Sequence, residues 1–221
     1  MGTKVNPRVF RLGTVKGADA KWFARGLKFK QFLKDDVQLR EFLITKLKEA
    51  SVDHIEIERT NQNVNIGIFS GKPGVIIGRQ GAGIEDLKKK IKNTFYRGRR
   101  VVLNVNVTEM TRPSLSSAIV AGQIAADIEK RMPFRRTMKQ AIERVMKGGA
   151  FGVRVKIGGR LNGSEIARTE ALSSGKIPLQ TLRADIDFYR ATARTIYGAI
   201  GIKVWIYRGD VFEEKKKEVT E

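Results

Sequence analysis

The hydrophobic positions in the first part of the chain predict a helix followed by a β-hairpin. Within residues 29–50, the apolar side chains of Leu39, Leu43 and Leu47 recur at helical spacing, with charged side chains between them. Apolar and polar positions then alternate with period two in VDHIEIERT and again in NVNIGIFSG, which is typical of half-buried strands. Asn61-Gln62 separates these two segments, so we expect them to pair around a turn at that point.

A second helix and a third strand complete this half of the chain. Ile84, Leu87, Ile91 and Phe95 lie on one face of a helix, which follows a short apolar turn, GVII, that we count as a short helix. The segment RVVLNVNVTEM returns to period-two alternation and predicts a strand. The resulting order, α-β-β-α-α-β, predicts one compact α+β unit.

The second half of the chain predicts another α+β unit, with two helices and about four strands. The sequence TRPS at 111–114 breaks the earlier pattern and precedes two helical segments, and Gly148-Gly149 ends the second of them. The strand-like segments FGVRVKI, EIARTEAL, LRADIDFYRATAR and IGIKVWIY follow. We therefore expect two α+β domains with flanking segments, namely a basic arm (1–16), a first domain (17–110), a second domain (111–209) and a flexible charged tail (210–221).

Composition narrows the partner to something anionic. The 221 residues carry a formal net charge of +20 and are 41% hydrophobic, so the chain has enough apolar residues for a core but repels itself electrostatically. Nucleic acid is the first candidate partner and an acidic membrane surface is the second. No apolar run approaches the ~20 residues that span a bilayer, and the N-terminus lacks the apolar stretch of a signal peptide. We interpret the protein as cytoplasmic, without a membrane partner.

The absence of cysteine and the single histidine exclude several chemistries. Without cysteine there are no disulfides, thiolate zinc sites or cysteine nucleophiles. With His54 alone, no metal site built on paired histidines is possible. Asp185 and Asp187 share a strand face, and paired carboxylates of this kind hold catalytic metals in some nucleases. Arg183 and Arg190 lie beside them, however, so we favour ion pairs and expect no catalytic residue, metal or cofactor.

The glycine-rich segment GKPGVIIGRQGAG at 71–83 fits one of three phosphate-binding patterns. It lacks the Lys-Ser/Thr ending of a Walker loop and the third glycine of a dinucleotide fingerprint. It does contain I-G-x-x-G between two short helices, the pattern of the KH loop that clamps single-stranded nucleic acid. Glycines allow a close backbone approach, and the following helix directs its N–H groups at phosphates. The candidate RNA-binding residues here are Lys72, Ile77, Gly78, Arg79, Gln80, Gly81 and Lys88.

Three further clusters are candidates for RNA contacts. KRMPFRRTMK at 130–139 packs five cations closely, which is unfavourable unless they face phosphate, although a solvated charged face is the alternative. The N-terminal arm is either a segment that orders on a partner or a frayed terminus. GGRLNGSEIARTE suits a loop pressed against folded RNA, and equally a plain glycine-rich turn. The residues concerned are Arg131, Arg135, Arg136 and Lys139 in the first cluster, Lys4, Arg8 and Arg11 in the arm, and Arg160 and Arg168 in the loop.

Trp205 and Tyr207 share a strand face with Lys203. Aromatic side chains beside a cation can stack on bases. More often such side chains cover a core edge or a protein partner, and we favour that interpretation.

Several long stretches give the chain an end-to-end resemblance to a known family. KVNPRVFRLG, KWFA, KPGVIIGRQG, EKRMPFRRTMKQAI, GGRLNGSEIARTE, GKIPLQTLRADIDF and YGAIGIKVWIYRG resemble the bacterial small-subunit ribosomal protein family called S-three. Thr3 and Asn6 depart from the usual family residues, glutamine and histidine, which puts only the local contacts of the arm in doubt. The resemblance implies a type II KH domain in the N-terminal half, a non-enzymatic role, and a position in the head of the small subunit on ribosomal RNA (rRNA).

The resemblance also implies particular partners and roles. In this family the positions matching Arg135, Arg136 and Lys139 lie where messenger RNA (mRNA) enters the subunit and are implicated in unwinding structured message, and we include Arg131 with them. Neighbouring proteins would be those called S-ten and S-fourteen. Two alternatives stay open: a free KH regulator or RNA chaperone, and a nuclease or lyase acting on damaged DNA.

Overall fold

The computed structural model describes residues 4–60, 63–97 and 101–212, and the chain divides into two compact units. One unit consists of residues 18–122, and the other combines residues 1–17 with 123–221. The predicted turn at Asn61-Gln62 and most of the predicted tail, 213–221, lie outside the described residues. Asp210 and Val211 differ from the predicted tail, since Asp210 ends a strand and the Val211 amide donates to the carbonyl of Arg183 over 2.9 Å.

The division differs from the predicted one in two places, and side-chain contacts explain both. The boundary falls at 122/123 rather than 110/111, because Ser116 donates a hydrogen bond to Asp53 within the first unit. The N-terminal segment belongs to the second unit, because the side chain of Arg11 donates to carbonyls of Pro178, Leu179 and Thr181 there.

The second unit begins with helix α1 (Pro7–Phe10), in which the Asn6 side chain accepts a hydrogen bond from the Arg8 amide and Pro7 occupies the first turn.

The elements of the first unit follow one another in the order predicted from periodicity, with one additional short strand at the start. Its elements are β1 (Ala20–Lys21), α2 (Leu27–Lys46), β2 (Val52–Arg59), β3 (Asn63–Ser70), α3 (Pro73–Ile77), α4 (Ala82–Phe95) and β4 (Val102–Glu109).

The first unit places its helices on one four-stranded sheet of order β1-β2-β3-β4. β2 and β3 are antiparallel, as the predicted hairpin requires, whereas β3 and β4 run parallel. Leu39 and Leu43 of α2 and Ile91 of α4 are fully buried with the inward residues of β2 and β3, so the period-two and helical patterns converge on one core. This confirms the predicted α-β-β-α-α-β arrangement.

Besides α1, the second unit contains the two predicted helices and a sheet of four strands, as predicted, and the sheet is antiparallel. Helix α5 (Ser117–Glu129) begins in the first unit and continues into the second unit at the 122/123 boundary. The remaining elements of the second unit are α6 (Phe134–Lys147), β5 (Gly152–Gly159), β6 (Arg168–Gly175), β7 (Ala184–Thr195) and β8 (Gly198–Asp210), with sheet order β6-β5-β8-β7. Val153, Val155 and Ile157 of β5 are fully buried, and α6 packs its buried Met138 and Val145 on this sheet. Among the described residues, no helix is long and apolar enough to cross a membrane.

Candidate nucleic-acid interface

Three residues in the loop between α3 and α4 have positive φ angles. Gly78 has φ 70°, Gln80 has φ 52° and Gly81 has φ 82°. Glycine accepts such angles without the Cβ clash that other residues suffer, so the two glycines of I-G-x-x-G sit where the turn requires them. Gln80 adopts the same region as a non-glycine residue and is exposed at the tip of the loop.

A third glycine, which the sequence motif did not single out, holds the two helices together. A Cβ on Gly83 would lie 2.5 Å from the carbonyl oxygen of Ile76 and 3.0 Å from that of Ile77. Such distances are far below contact distance, so only glycine lets the start of α4 pass this close to the end of α3. The signal was present in the sequence as G-x-x-G-x-G, but nothing local distinguished a packing glycine from a loop glycine.

The predicted RNA-binding residues of this loop lie on its accessible side. Lys72, Gly78, Arg79 and Gln80 are exposed, and Ile77 exposes 37% of its surface, whereas Ile76 is buried in the core. Lys88 lies half-buried on α4. The N–H group of Ala82, the first residue of α4, donates to the carbonyl of Arg79, and no side chain of the described residues caps this helix end. The N-terminal end of α4 therefore faces the loop with the partial positive charge that favours an anion.

The turn between α5 and α6 presents the second predicted cluster. Arg131 has a left-handed φ of 61°, and Pro133 precedes the first residue of α6. Arg135 and Arg136 occupy the first turn of α6, which contains no acidic residue. Because the N-terminal end of a helix is already positive, cations there are unfavourable unless an anion is bound. Arg131, Arg135, Arg136 and Lys139 are all exposed.

One carboxylate on β6 joins two cations that the sequence assigned to separate clusters. Glu170 accepts hydrogen bonds from Arg135, at 3.0 Å from Nε and 3.1 Å from Nη2, and a further one from Nε of Arg168 at 3.2 Å. The hydrogen bond from Arg135 is the main cause that lowers the pKa of Glu170, and it raises the pKa of Arg135 in turn. This bidentate contact fixes the orientation of the Arg135 guanidinium.

Arg11 does not lie on a surface that RNA could reach, which corrects its assignment as an rRNA-binding residue. Its side chain is fully buried, and it donates hydrogen bonds to the carbonyls of Pro7, Pro178, Leu179 and Thr181 at 2.8–3.3 Å. Burial lowers the pKa of Arg11, although the charge of Asp185 acts in the opposite direction. The guanidinium is therefore a structural crosslink within the second unit.

The other predicted residues of the arm and of the glycine-rich loop keep accessible surface. Lys4 is exposed and Arg8 is half-buried. Arg160 is exposed, yet its guanidinium donates to the carbonyls of Ser164, at 2.9 Å, and Tyr197, at 3.2 Å, so it also holds the loop. Arg168 is 50% exposed and shares Glu170 with Arg135.

Asp185 and Asp187 form ion pairs, as favoured, but with partners that differ from the expected ones. Asp187 contacts Nζ of Lys16 at 2.9 Å and Nη2 of Arg208 at 3.0 Å. Asp185 lies 3.7 Å from Nζ of Lys16. Arg183 instead pairs with Asp210 at 3.0 Å. Within the described ranges no group of three or more His, Cys, Asp or Glu side chains is arranged to hold a metal ion.

Trp205 and Tyr207, which the sequence treated together, have different surroundings. The Tyr207 hydroxyl donates to Asp210 at 2.7 Å and its ring contacts Phe151, so this side chain covers a core edge. The hydrogen bond to Asp210 raises the pKa of Tyr207. Trp205 instead packs against Phe188, with ring centroids 5.1 Å apart, and the guanidinium of Arg154 lies over its ring at 5.7 Å.

Two family profiles match this chain, and together they define a class of two-domain proteins that contain a KH domain. A family profile described as "KH domain" matches residues 38–115, and a second one, described as "Ribosomal protein S3, C-terminal domain", matches residues 124–206. Both matched ranges agree with the α+β elements of the two units.

Curated relatives give the family. The "Small ribosomal subunit protein uS3" of Desulforudis audaxviator is 48% identical over 97% of this chain and 97% of its own length. The protein of the same name from Pelotomaculum thermopropionicum is 48% identical over 98% of this chain and 92% of its own length. The one from Clostridium botulinum is 47% identical over 100% of this chain and 99% of its own length. The chain belongs to the uS3 family of small ribosomal subunit proteins. Membership implies rRNA binding and a part in translation, and these relatives are ribosomal proteins rather than enzymes.

Proposed function

We propose that the cations at the start of α6 contact mRNA where it enters the small subunit, and that they help to unwind structured message. The cluster consists of Arg131, Arg135, Arg136 and Lys139, and we call it the α6 cluster. Its chemical contribution is to hold backbone phosphates of separated strands, while translocation supplies the work. The proposal requires no nucleotide hydrolysis by this chain.

The single observation that carries the proposal is an uncompensated positive surface at one helix end. Within the part of the chain that the structure describes, Arg131, Arg136 and Lys139 form no ion pair, and the first turn of α6 has no acidic residue. These exposed cations repel one another and are also repelled by the positive end of the helix. A polyanion that contacts several of them at once therefore binds with a favourable electrostatic free energy.

Glu170 adds a positioning element to this surface. It pairs with both Arg135 and Arg168, so each guanidinium has a defined orientation before RNA arrives. Arg135 is 70% exposed, which leaves donors free for a phosphate beside the carboxylate. An oriented guanidinium loses less conformational entropy on binding than a freely rotating one.

The KH loop and the remaining cations make up the rest of the proposed RNA contacts. We assign backbone clamping to Lys72, Ile77, Arg79, Gln80 and Lys88 around Gly78 and Gly81, since the loop is exposed and the N-terminus of α4 has no side-chain cap among the described residues. Lys4, Arg8, Arg160 and Arg168 are proposed rRNA contacts, because phosphate contacts of this kind fix position rather than sequence. The proteins S-ten and S-fourteen are proposed as neighbours in the subunit head.

Translation through mRNA hairpins tests the α6 cluster. Small subunits carrying Arg135→Ala, Arg136→Ala and Lys139→Ala together should assemble normally, because these side chains are exposed, but should slow several-fold on a stable hairpin. Elongation on unstructured message should be little changed. Removing the same charge from exposed α2, through Lys28→Ala, Lys30→Ala and Lys34→Ala, is the matched control. Normal speed through hairpins in the α6 variant would remove the unwinding role.

A free KH regulator is the weaker alternative. The relatives that cover 97–100% of this chain carry the name of a small-subunit protein, so the whole length of the chain is accounted for by that family. Sedimentation of native lysate on a sucrose gradient separates the two, since a regulator would stay near the top after a moderate salt wash.

A further inference from the structure

A groove in the second unit is lined by cations and aromatic rings and is separate from the α6 cluster. Its volume is about 1130 Å³, and its walls come from the N-terminal segment, residues 177–181 and the sheet. None of its described lining residues is acidic. Five of them are cations, namely Lys4, Arg154, Lys156, Arg190 and Lys203. A pocket for a small apolar molecule would be mostly hydrophobic, with few polar groups.

Three of these cations form a row across neighbouring strands. Lys203 of β8 lies directly opposite Lys156 of β5 on one side and opposite Arg190 of β7 on the other. Residues that face each other in this way have Cβ atoms about 4.5–5.5 Å apart, and like charges at that distance destabilise a sheet. No described residue forms an ion pair with any of the three, so the row lacks a compensating carboxylate.

An aromatic row lies next to the cation row. Two residues further along β8, Trp205 stands opposite Arg154 of β5 and Phe188 of β7. The rings of Trp205 and Phe188 are tilted by 34° and both side chains are half-buried, so part of each ring faces the groove. The Tyr207 hydroxyl is held by Asp210, whereas the described contacts of the Trp205 ring are this stack with Phe188 and the guanidinium of Arg154.

We propose that this groove binds a short single-stranded segment of RNA, with phosphates on the row Lys156, Lys203 and Arg190 and one base stacked on Trp205. A line of cations beside a flat aromatic surface is the arrangement by which sequence-tolerant proteins hold single strands. An acidic peptide would satisfy the cations but would leave the indole without a flat partner. The inference does not depend on the α6 cluster, and it reverses our sequence-based preference for Trp205 as a cover for a core edge.

Tryptophan fluorescence gives a local readout. The chain has two tryptophans, so Trp22→Phe leaves Trp205 as the only reporter. Titration of this full-length variant with an eight-nucleotide oligouridylate should quench the emission of Trp205 through stacking. Because a stacked base contributes at least about 1 kcal/mol, Trp205→Leu in the parent should weaken oligouridylate binding about fivefold or more. If Trp22→Phe fails to fold, the difference in quenching between the parent and Trp205→Phe gives the same reading.

Charge variants separate this groove from the α6 cluster. Lys156→Gln, Arg190→Gln and Lys203→Gln together should abolish the quenching and lower the log–log salt slope by about 2, since each single-strand phosphate contact contributes about 0.7. Arg135→Gln, Arg136→Gln and Lys139→Gln remove the same charge and should leave the quenching intact. Quenching that survives the groove variant, or disappears in the α6 variant, would overturn the proposal.

Two more measurements complete the test. Lys203→Gln should raise the melting temperature of the free protein, because it removes the central like charge, while weakening RNA binding; a fall in both would indicate a merely structural lysine and overturn the proposal. Polyglutamate and inorganic polyphosphate are the comparison probes, and neither should quench Trp205. Stronger quenching by polyglutamate than by oligouridylate would overturn the RNA assignment in favour of an acidic protein partner.

Discussion

Arg11 and Arg136 both lie in basic stretches of sequence, yet they have opposite environments. Arg11 is fully buried and donates to four carbonyl groups, three of which belong to residues 167 to 170 positions away. Arg136 is exposed and makes no ion pair within the described part of the chain. Both were interpreted as RNA contacts because charge density along a chain does not reveal what folds back against it.

The difference teaches that backbone carbonyls can compete with phosphate for a guanidinium. Arginine carries five donors, and the loop at 177–181 supplies three backbone carbonyl acceptors to Arg11. Among the residues that the structure describes, nothing comparable surrounds the first turn of α6, where Glu170 offers carboxylate acceptors to Arg135. A basic cluster is therefore a candidate for RNA binding only after its internal acceptors have been counted.

The largest expected effect comes from breaking the buried side of this comparison. Arg11→Ala should lower the free energy of unfolding by about 4 kcal/mol, because several charge-assisted hydrogen bonds are lost and their carbonyls stay buried. Urea denaturation measures this, with Arg136→Ala as the matched control at no more than about 0.5 kcal/mol. Equal effects of the two substitutions would contradict the assignment of Arg11 as a structural crosslink.

A second comparison is between two carboxylates that each hold two cations. Asp187, which is buried, binds Lys16 and Arg208, whereas Glu170 is half-buried and pairs with two exposed arginines. Removing one partner of a buried pair leaves charge uncompensated, so Asp187→Ala should cost about 3 kcal/mol in urea denaturation. Glu170→Gln should change the unfolding free energy far less. A small effect at Asp187 would show that its surroundings are wet enough to solvate Lys16 and Arg208.

The KH loop offers a smaller test of packing. Gly83→Ala forces a Cβ against the Ile76 carbonyl and should cost about 2 kcal/mol of stability, together with a loss of RNA affinity as the loop is displaced. Gly74→Ala on α3 is the matched control, since its Cβ meets nothing within 4 Å and its φ is ordinary. Thermal melts and RNA titration of both variants decide this; unchanged affinity in Gly83→Ala would separate loop shape from binding.

The smallest expected effect is on how the free energy of unfolding changes at acidic pH. Arg135 lowers the pKa of Glu170 below the ordinary value of about 4.5 for a glutamate, so the stability from this pair is present above about pH 4.5 and is lost as pH falls through the lowered pKa. Glu170→Gln should flatten that part of the acid dependence of unfolding. It should also raise RNA affinity at neutral pH by less than about fivefold, because the loss of a negative charge beside the phosphates outweighs the lost orientation of the two exposed arginines. An unchanged acid profile would mean that the pair is not maintained in solution.

Much of the fold was predictable from the sequence, because its signals are local. Leu39 and Leu43 mark a helix face and Ile55 and Ile57 mark a strand face, so the order of elements and the fold class were confirmed. The sheet order β6-β5-β8-β7 was not predicted, since period two indicates a buried face but not which strands are neighbours. The unit boundary within α5 differs from the predicted one, because TRPS marks only a local break in the sequence pattern.

The site divides in the same way. The I-G-x-x-G loop was found because its glycines, its apolar turn and its helix are consecutive in sequence. The contact between Arg135 and Glu170 spans 35 positions, and the opposition of Lys156, Lys203 and Arg190 depends on strand register. Such juxtapositions exist only after the sheet has formed. The RNA-contact assignments other than Arg11 stay predictions.

Crosslinking from α6 tests the central claim most directly. A photo-crosslinking amino acid at position 136 of small subunits programmed with mRNA should label the message on the 3′ side of the codon being read. The same amino acid at position 143, seven residues and about 10 Å further along the same helix face, is the control and should label mRNA weakly or not at all. If position 136 labels only rRNA or neighbouring proteins, the exposed cations of α6 do not face the message, and the account of their role is contradicted.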